Sequence, residues 1–417
     1  MKYGCIARKL SHSFSKEIHN LLFDYEYELL ELEPEQVGEF LIKKDFLAIN
    51  VTIPYKQSVI PYLDCVDEVA KEIGAVNTIV NKGGKLYGYN TDFMGLSALI
   101  KRAGIDISGK KVLIAGSGGT AKTANAVAKS MNAKEVVTLS RTEKDGFCSY
   151  DDAKIHHTDA EIFINTTPVG MYPNIYESVI DVADFPNLSG VVDAVYNPLC
   201  SKLVCDAKEK GITAVGGLYM LVAQAAFAAE KFIDTKVSQE KIEQVYSRIF
   251  ASKQNIVLVG MPSSGKTTVG KIIAEKLGFD FVDTDELVVS KEGRSIVDIF
   301  ANSGEEYFRN CETEAIRETA KNQGLVIATG GGAVLKKENI ELLKENGRIY
   351  FLDRPLDLLI TTDDRPLSSN KSDLEKRYNE RYDVYLSSAH KRILNTASAL
   401  YAAEEIIKDS KNENTCN

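Results

Sequence analysis

Residues 255–277 read NIVLVGMPSSGKTTVGKIIAEKL. A short apolar run enters a glycine turn, and apolar residues at helical spacing leave it. That is a strand, a turn and a helix. Gly260 to Thr267, GMPSSGKT, fits the spacing G-x-x-x-x-G-K-[ST]. In this spacing backbone N–H groups cradle phosphates, the lysine reaches the β- and γ-phosphates, and the hydroxyl holds Mg²⁺. Ser263, Ser264, Gly265, Lys266, Thr267 and Thr268 are therefore the expected ATP contacts, with Thr267 as an Mg²⁺ ligand.

Downstream, FVDTDEL at 281–287 sets two carboxylates two residues apart. Asp283 is suited to Mg²⁺ through water, and Asp285 to an acceptor hydroxyl. GEEYFRNCE at 304–312 adds Arg309 and Glu312, and VIATGGGAVL at 326–335 runs a strand into three glycines. Arg365 in DDRPL and Arg381 in ERYDVY add cations. A single charged residue is usually a solvated face; three arginines beside such motifs point to an anionic ligand.

Upstream, KVLIAGSGGTAKTANAVAKSM at 111–131 is a second strand–turn–helix, with Gly116 and Gly260 144 positions apart. That is too far for one motif and fits one nucleotide site in each of two domains. Gly116, Ser117, Gly118, Gly119, Thr120 and Ala121 fit G-x-G-x-x-[GA]. This turn brings backbone and a helix N-terminus against a pyrophosphate. The next strand, EVVTLS, ends at Ser140-Arg141-Thr142. An NAD site is expected to carry Asp or Glu near that strand end, whereas Arg141 suits a 2′-phosphate.

The 417 residues leave room for two or three domains at about 100–200 residues each. The chain carries 44% hydrophobic and 26% charged residues, which permits a buried core. A formal charge of −9 argues against nonspecific nucleic-acid binding. No apolar run reaches 18 residues, and LYMLVAQAAFAA at 218–229 reads as a buried helix, so no membrane span is expected. Seven cysteines without a CxxC pair read as reduced thiols of a cytoplasmic protein. Disorder is expected only in the last residues, SKNENTCN. QEKIEQVYSRIFASKQN at 239–255 turns from a helical pattern into a polar stretch, which sets a boundary near Ser252.

A dehydrogenase also needs a proton donor beside its substrate. NVTIPYK at 50–56, GAVNTIV at 74–80 and GYNTDFMG at 88–95 cluster Asn, Thr, Lys and Asp at strand ends or turns. Lys56 and Asp92 are the candidate proton-transfer pair, and Ser13, Ser15, Thr52, Asn77 and Thr91 candidate neutral donors. Any one of the Asn, Ser or Thr residues is more commonly a turn former. Spacing alone does not bring Lys56 to Asp92.

HSFSKEIHN at 12–20, NVTIPYK, GAVNTI, YNTDFMG, GSGGTA, SRT, NTTPVGM at 165–171, DAVYNP at 193–198 and GGLYMLVAQAAFA at 216–228 occur in one order. Together they resemble shikimate dehydrogenase over roughly 1–250. The resemblance implies NADPH-dependent reduction of 3-dehydroshikimate to shikimate. It makes Lys56 the acid/base residue and Asp92 its partner. Ser13, Ser15, Thr52, Asn77, Asp92 and Gln224 would hold substrate, with Tyr196 and Gly217 where nicotinamide meets it. Ser140, Arg141 and Thr142 would read the NADP(H) 2′-phosphate. The chain departs from the family at Ala7-Arg8-Lys9-Leu10, where Gly-x-Pro is usual, and in a shortened stretch from Arg141 to Asn165.

The later segments similarly resemble shikimate kinase over about 253–410. The resemblance implies phosphoryl transfer from ATP to the shikimate 3-hydroxyl. It gives Asp285, Arg309, Gly331 and Arg381 to shikimate and makes Arg365 a lid residue. The lid segment ITTDDRPLSS is shorter than usual.

The expected architecture is α/β throughout, with parallel sheets in both halves. An α/β substrate domain (1–95 plus about 216–250) and a Rossmann NADP-binding domain (96–215) precede a P-loop NTPase-type kinase domain (253–417). The expected cofactors are NADP(H), ATP and Mg²⁺, and the expected partners are small substrates, with no nucleic acid or membrane; homo-oligomerisation stays open. A non-catalytic sensor built from such domains is the rival reading, and intact Lys56, Asp92, Lys266, Thr267, Asp283 and Asp285 argue against it.

Overall fold

Each glycine turn closes the first strand of a parallel sheet, and those sheets set the architecture. A computed structural model describes residues 2–10, 14–141, 146–359 and 371–412. The chain divides into two compact units, Met1–Asn197 with Ser201–Ile249, and Pro198–Cys200 with Phe250–Asn417.

The first unit holds two sheets. One comprises β1 (Tyr3–Ala7), β2 (Tyr27–Glu31), β3 (Ala48–Val51), β4 (Cys65–Val66), β5 (Thr78–Lys82) and β6 (Lys85–Tyr89), in the order β2-β1-β3-β5-β6-β4. It is mixed rather than parallel, because β5 runs antiparallel to both β3 and β6. The cause is local. Gly83 and Gly84, both at positive φ, form the two-residue turn of a hairpin, and a link so short joins only antiparallel strands. NKGGK carried that signal in the sequence.

The other sheet is parallel: β7 (Lys111–Ala115), β8 (Glu135–Leu139), β9 (Ile162–Asn165), β10 (Gly190–Asp193) and β11 (Thr213–Val215), ordered β11-β10-β9-β7-β8. β7, β9 and β10 are wholly buried, as expected of parallel strands covered on both faces. The direction of winding reverses between β7 and β9, and ligands of such sheets bind beyond the strand ends at that point. Helix Leu218–Ile233 packs on helix Thr91–Arg102, and its run of alanines permits close approach. A Cβ on Gly95 would collide with the Met220 carbonyl.

The second unit has one parallel sheet of β12 (Asn255–Val259), β13 (Asp280–Asp283), β14 (Leu325–Ala328), β15 (Gly347–Asp353) and β16 (Lys391–Leu394), ordered β13-β14-β12-β15-β16. Its core joins Ile256, Leu258, Val326, Tyr350 and Leu352 to Val269 and Ile273 of helix Lys266–Leu277 and Ile406 of helix Ala399–Asn412. That last helix takes in Ser410 to Asn412, so the expected tail begins helical. Helix Gln239–Lys253 likewise runs through the polar stretch near Ser252, its apolar side carrying buried Ile242, Val245, Ile249 and Phe250. Among the described residues no helix is long and apolar enough to cross a membrane.

Candidate active sites

In the first unit, β3 leads into the loop that carries Lys56, and β6 is followed by Asn90, whose side chain caps helix Thr91–Arg102 by accepting from Phe93 N–H at 3.1 Å. Asp92 therefore sits in the first helical turn, where the dipole favours a carboxylate. Lys56 Nζ meets Asp92 Oδ2 at 2.6 Å, with side chains 15% and 9% exposed. Thirty-six positions of sequence are thus closed into one ion pair. Asn77 Oδ1 accepts from Thr91 N–H at 2.7 Å, and Asn77 Nδ2 donates to Thr91 Oγ1 at 3.0 Å and towards Gln224 Oε1 at 3.4 Å.

These residues line a cavity of about 430 Å³ together with Ser15, Thr52, Thr120, Tyr196 and Gly217. Gly116, Gly118 and Gly119 are not among its lining residues, and Ser117 borders a separate hollow over helix Gly119–Ser130. Even so, the glycine turn reaches the ion pair: a Cβ on Gly119 would lie 3.7 Å from Lys56 Cδ. Helix Gly119–Ser130 has no side-chain cap, and a Cβ on Gly118 would meet nothing within 4 Å. A helix N-terminus without a side-chain cap, beside open space, fits the phosphates of a dinucleotide. Ser140 is buried at the end of β8, and Arg141 beside it is exposed. Ser13 and Thr142 lie outside the described residues.

The opposite wall depends on a residue the sequence reading passed over. Asp193, fully buried at the end of β10, accepts from Ser201 Oγ at 2.5 Å and from Asn165 Nδ2 and Val195 N–H at 2.9 Å each. Asn165 Oδ1 accepts in turn from Thr167 N–H and Oγ1. One carboxylate thus ties together the loops after β9 and β10, which supply Thr166, Thr167, Val195 and Tyr196 to the cavity. Burial pushes its carboxyl up to about 7, against the three donors. The unfolded value is near 3.8, so between about pH 4 and 7 the folded chain holds a proton that the unfolded chain has released. Stability then falls as pH rises through that window. Asp193→Asn removes this slope. Its melting temperature relative to the parent is expected to climb from pH 4 to 7 and level off above. A pH-independent difference would mean the folded carboxyl is ionised throughout.

In the second unit, Ser263 holds φ +63°, rare for a residue with a side chain. Lys266 Nζ donates to the carbonyls of Gly260 and Met261 at 2.9 Å each. Helix Lys266–Leu277 again lacks a side-chain cap. Thr267 Oγ1 donates to Asp283 Oδ2 at 2.9 Å, a hydroxyl beside a carboxylate, which suits a water-rich Mg²⁺ shell. Asp283 Oδ1 accepts from Asp285 N–H, so it also caps the helix that carries Asp285.

A cavity of about 710 Å³ joins Ser263, Gly265, Lys266, Thr267, Thr268, Asp283, Asp285, Arg309, Gly331 and Arg381. Ser264 is buried beneath it, and Arg365 lies outside the described residues. Arg309 Nη1 pairs with the buried Glu312 at 2.8 Å. Burial raises the Glu312 carboxyl, partly offset by Arg309. Glu312 Oε1 has no hydrogen-bond partner among the described residues. A Cβ on Gly330 would collide with it and with Asp285 Oδ1, so only glycine lets that turn approach both carboxylates. Arg381 Nη1 donates to the Gly331 carbonyl at 3.1 Å, and the buried Tyr385 hydroxyl donates to the same carbonyl. Tyr385, one helical turn after Arg381, thereby fixes the arginine's helix to the glycine turn; its spacing was visible in the sequence, but an apolar role was as good a reading.

Comparison with known proteins decides between these chemistries. The shikimate dehydrogenase from Clostridium perfringens strain ATCC 13124, named as NADP(+)-dependent, is 36% identical over 264 residues, covering 59% of this chain and 97% of that protein. The chain belongs to the shikimate dehydrogenase family. The family model of the shikimate dehydrogenase substrate-binding domain matches residues 5–79. The crystal structure of shikimate dehydrogenase 1 from Peptoclostridium difficile aligns with the dehydrogenase part at TM-score 0.56 and 33% identity, covering 60% of this chain and 98% of that one. A chorismate mutase/shikimate 5-dehydrogenase fusion from Clostridium acetobutylicum aligns at TM-score 0.56 and 34% identity, over 59% and 96% of the two chains. Beyond the dehydrogenase, the shikimate kinase family model matches residues 262–411. The chain is therefore a shikimate dehydrogenase carrying a C-terminal shikimate kinase domain.

Proposed function

We propose that the dehydrogenase cavity reduces 3-dehydroshikimate to shikimate with NADPH and that the kinase cavity converts shikimate to shikimate 3-phosphate with ATP and Mg²⁺. The observation that carries the first reaction is the Lys56–Asp92 pair in a cavity lined by Asn77 and Gln224. NADPH supplies hydride when bound, and MgATP supplies the phosphoryl group. As the substrate ketone gains alkoxide character, the Lys56 ammonium stabilises that oxygen and donates a proton to it; Asp92 orients the ammonium. Asn77, Thr52, Ser15 and Gln224 hold the hydroxyls and carboxylate. Arg141 takes the 2′-phosphate.

In the kinase, Asp285 accepts a hydrogen bond from the acceptor hydroxyl and draws its proton away. Lys266 and the helix N-terminus hold the β- and γ-phosphates, and Thr267 with Asp283 places the metal. Arg309 and Arg381 clamp the substrate carboxylate, a task suited to a planar fork. The domain division read from the sequence is kept: substrate-binding 1–95 with 216–250, NADP-binding 96–215, kinase 253–417. The product of the first reaction is the substrate of the second, which gives the fusion a chemical rationale.

The direct test is two assays on one purified sample: shikimate oxidation followed at the NADPH absorbance, and ATP-dependent phosphorylation of shikimate. Absence of either with added Mg²⁺ would remove that half of the proposal. Arg381→Lys tests the clamp. The charge stays and the fork is lost, so the KM for shikimate in the kinase assay should rise about tenfold, given that a charged hydrogen bond contributes about 1.5–3 kcal/mol. The KM for ATP should hardly move; a rise confined to ATP would place Arg381 on the nucleotide instead.

A further inference from the structure

The dehydrogenase cavity contains a charge that its Lys56–Asp92 pair does not balance. Among the described lining residues, the formally charged side chains at neutral pH are Lys9, Lys56 and Asp92. Lys56 and Asp92 neutralise each other at 2.6 Å. Lys9 stands alone: it is exposed and makes no ion pair with any described residue. Its neighbours are held. Arg8 pairs with Glu33 at 3.2 Å, Leu10 is buried, and Leu10 N–H donates to Glu31 Oε1 at 2.6 Å. Arg8 is thus engaged through its side chain and Leu10 through its backbone, while Lys9 between them lines the cavity. Ser15 lines the same cavity.

We infer that Lys9 is a specificity-determining residue of the dehydrogenase site, supplying the cation that receives the substrate's carboxylate. The inference rests on the proposed reduction of 3-dehydroshikimate at this site. An anion entering a cavity whose other charges cancel exchanges its hydration for neutral hydrogen bonds alone. The whole chain carries −9, so its long-range field also repels such a substrate. A lysine in the cavity wall answers both costs. It pairs with the carboxylate on arrival and leaves the Lys56 ammonium to the reacting oxygen. A flexible ammonium suits a partly solvated position, since it forms a point-charge contact without fixed geometry.

The experiment compares Lys9→Gln and Lys9→Arg with the parent in shikimate oxidation, using shikimate, its methyl ester, and NADP⁺ as varied substrates. Lys9→Gln should raise the KM for shikimate about three- to tenfold, the range between an exposed ion pair and a charged hydrogen bond. It should leave kcat within about twofold and the KM for NADP⁺ unchanged, as expected when only binding common to ground and transition states is lost. The methyl ester, which has no charge, should show the same KM with parent and variant. Lys9→Arg should stay near the parent. Added salt should narrow the difference in kcat/KM for shikimate between the parent and Lys9→Gln. An unchanged shikimate KM in Lys9→Gln, or an equal rise for acid and ester, overturns the assignment. A rise confined to NADP⁺ also overturns it and places Lys9 on the cofactor phosphates. A parent unable to oxidise shikimate overturns the reading of the site itself, and Lys9 with it.

Discussion

Lys56→Ala is expected to lower kcat for shikimate oxidation a hundredfold or more, with the KM for NADP⁺ nearly unchanged. Positioned acid/base groups contribute about 10²–10⁴-fold. Lys56 also stabilises the developing alkoxide, so the loss should lie in the upper part of that range. The substitution leaves Asp92 without its partner. That side chain is 9% exposed, so some instability follows from an uncompensated charge. The first helical turn limits the damage, because the dipole still favours the carboxylate. Asp92→Asn is the companion measurement. It keeps the shape, accepts one hydrogen bond and removes the charge, so kcat should fall less than in Lys56→Ala and the double variant should be no worse than Lys56→Ala. Additive losses in the double variant would mean that the two residues act separately. A KM effect without a kcat effect in Lys56→Ala would reduce Lys56 to a binding group.

The parallel sheets were legible in the sequence because each glycine turn lies between an apolar strand and an amphipathic helix, and the helix N-terminus follows from that order. The antiparallel β5–β6 hairpin departs from the parallel sheets that alternating strand and helix signals imply, although its two-glycine turn is a local signal. Site residues on those turns were visible as motifs. Contacts made across the fold were not. Asp193 looked like one more polar residue in DAVYNP; its part depends on Asn165 and Ser201, 28 and 8 positions away, which meet it only when β9, β10 and helix Lys202–Glu209 pack. Asn395 is similar. Its side chain donates to the Ser264 carbonyl at 2.8 Å across 131 positions and so braces the phosphate turn from β16. Nothing in LNTAS announces that task, because a single asparagine after a strand is usually a turn former. Residues whose work is done through local backbone shape show in the sequence, and those that brace another segment show only in the fold.

Lys266→Ala is expected to lower the kinase kcat by about a hundred- to a thousandfold or more, the range for removing a preorganised charge from the transferring group. Dehydrogenase activity should stay within about twofold of the parent. The first expectation rests on the phosphate turn. Lys266 is buried in the cavity wall, and its Nζ already lies against the Gly260 and Met261 carbonyls. Among the described residues no other lysine lines that cavity, and its arginines Arg309 and Arg381 are engaged with Glu312 and the Gly331 carbonyl. The second expectation rests on the division of the chain. The described lining residues of the dehydrogenase cavity all fall within 1–197 or 201–249, and those of the kinase cavity all within 250–417. Among the described residues neither cavity is lined by a side chain of the other unit. Loss of the Lys266 ammonium strips two carbonyls of a donor, at a cost of about 1–3 kcal/mol for a buried group. Thermal unfolding must therefore accompany the assays, and Lys266→Arg, which keeps a donor, separates stability from catalysis. If the dehydrogenase rate fell together with the kinase rate while the variant remained folded, the two sites would be coupled. The coupling would then have to pass through conformation, since no described lining residue is shared.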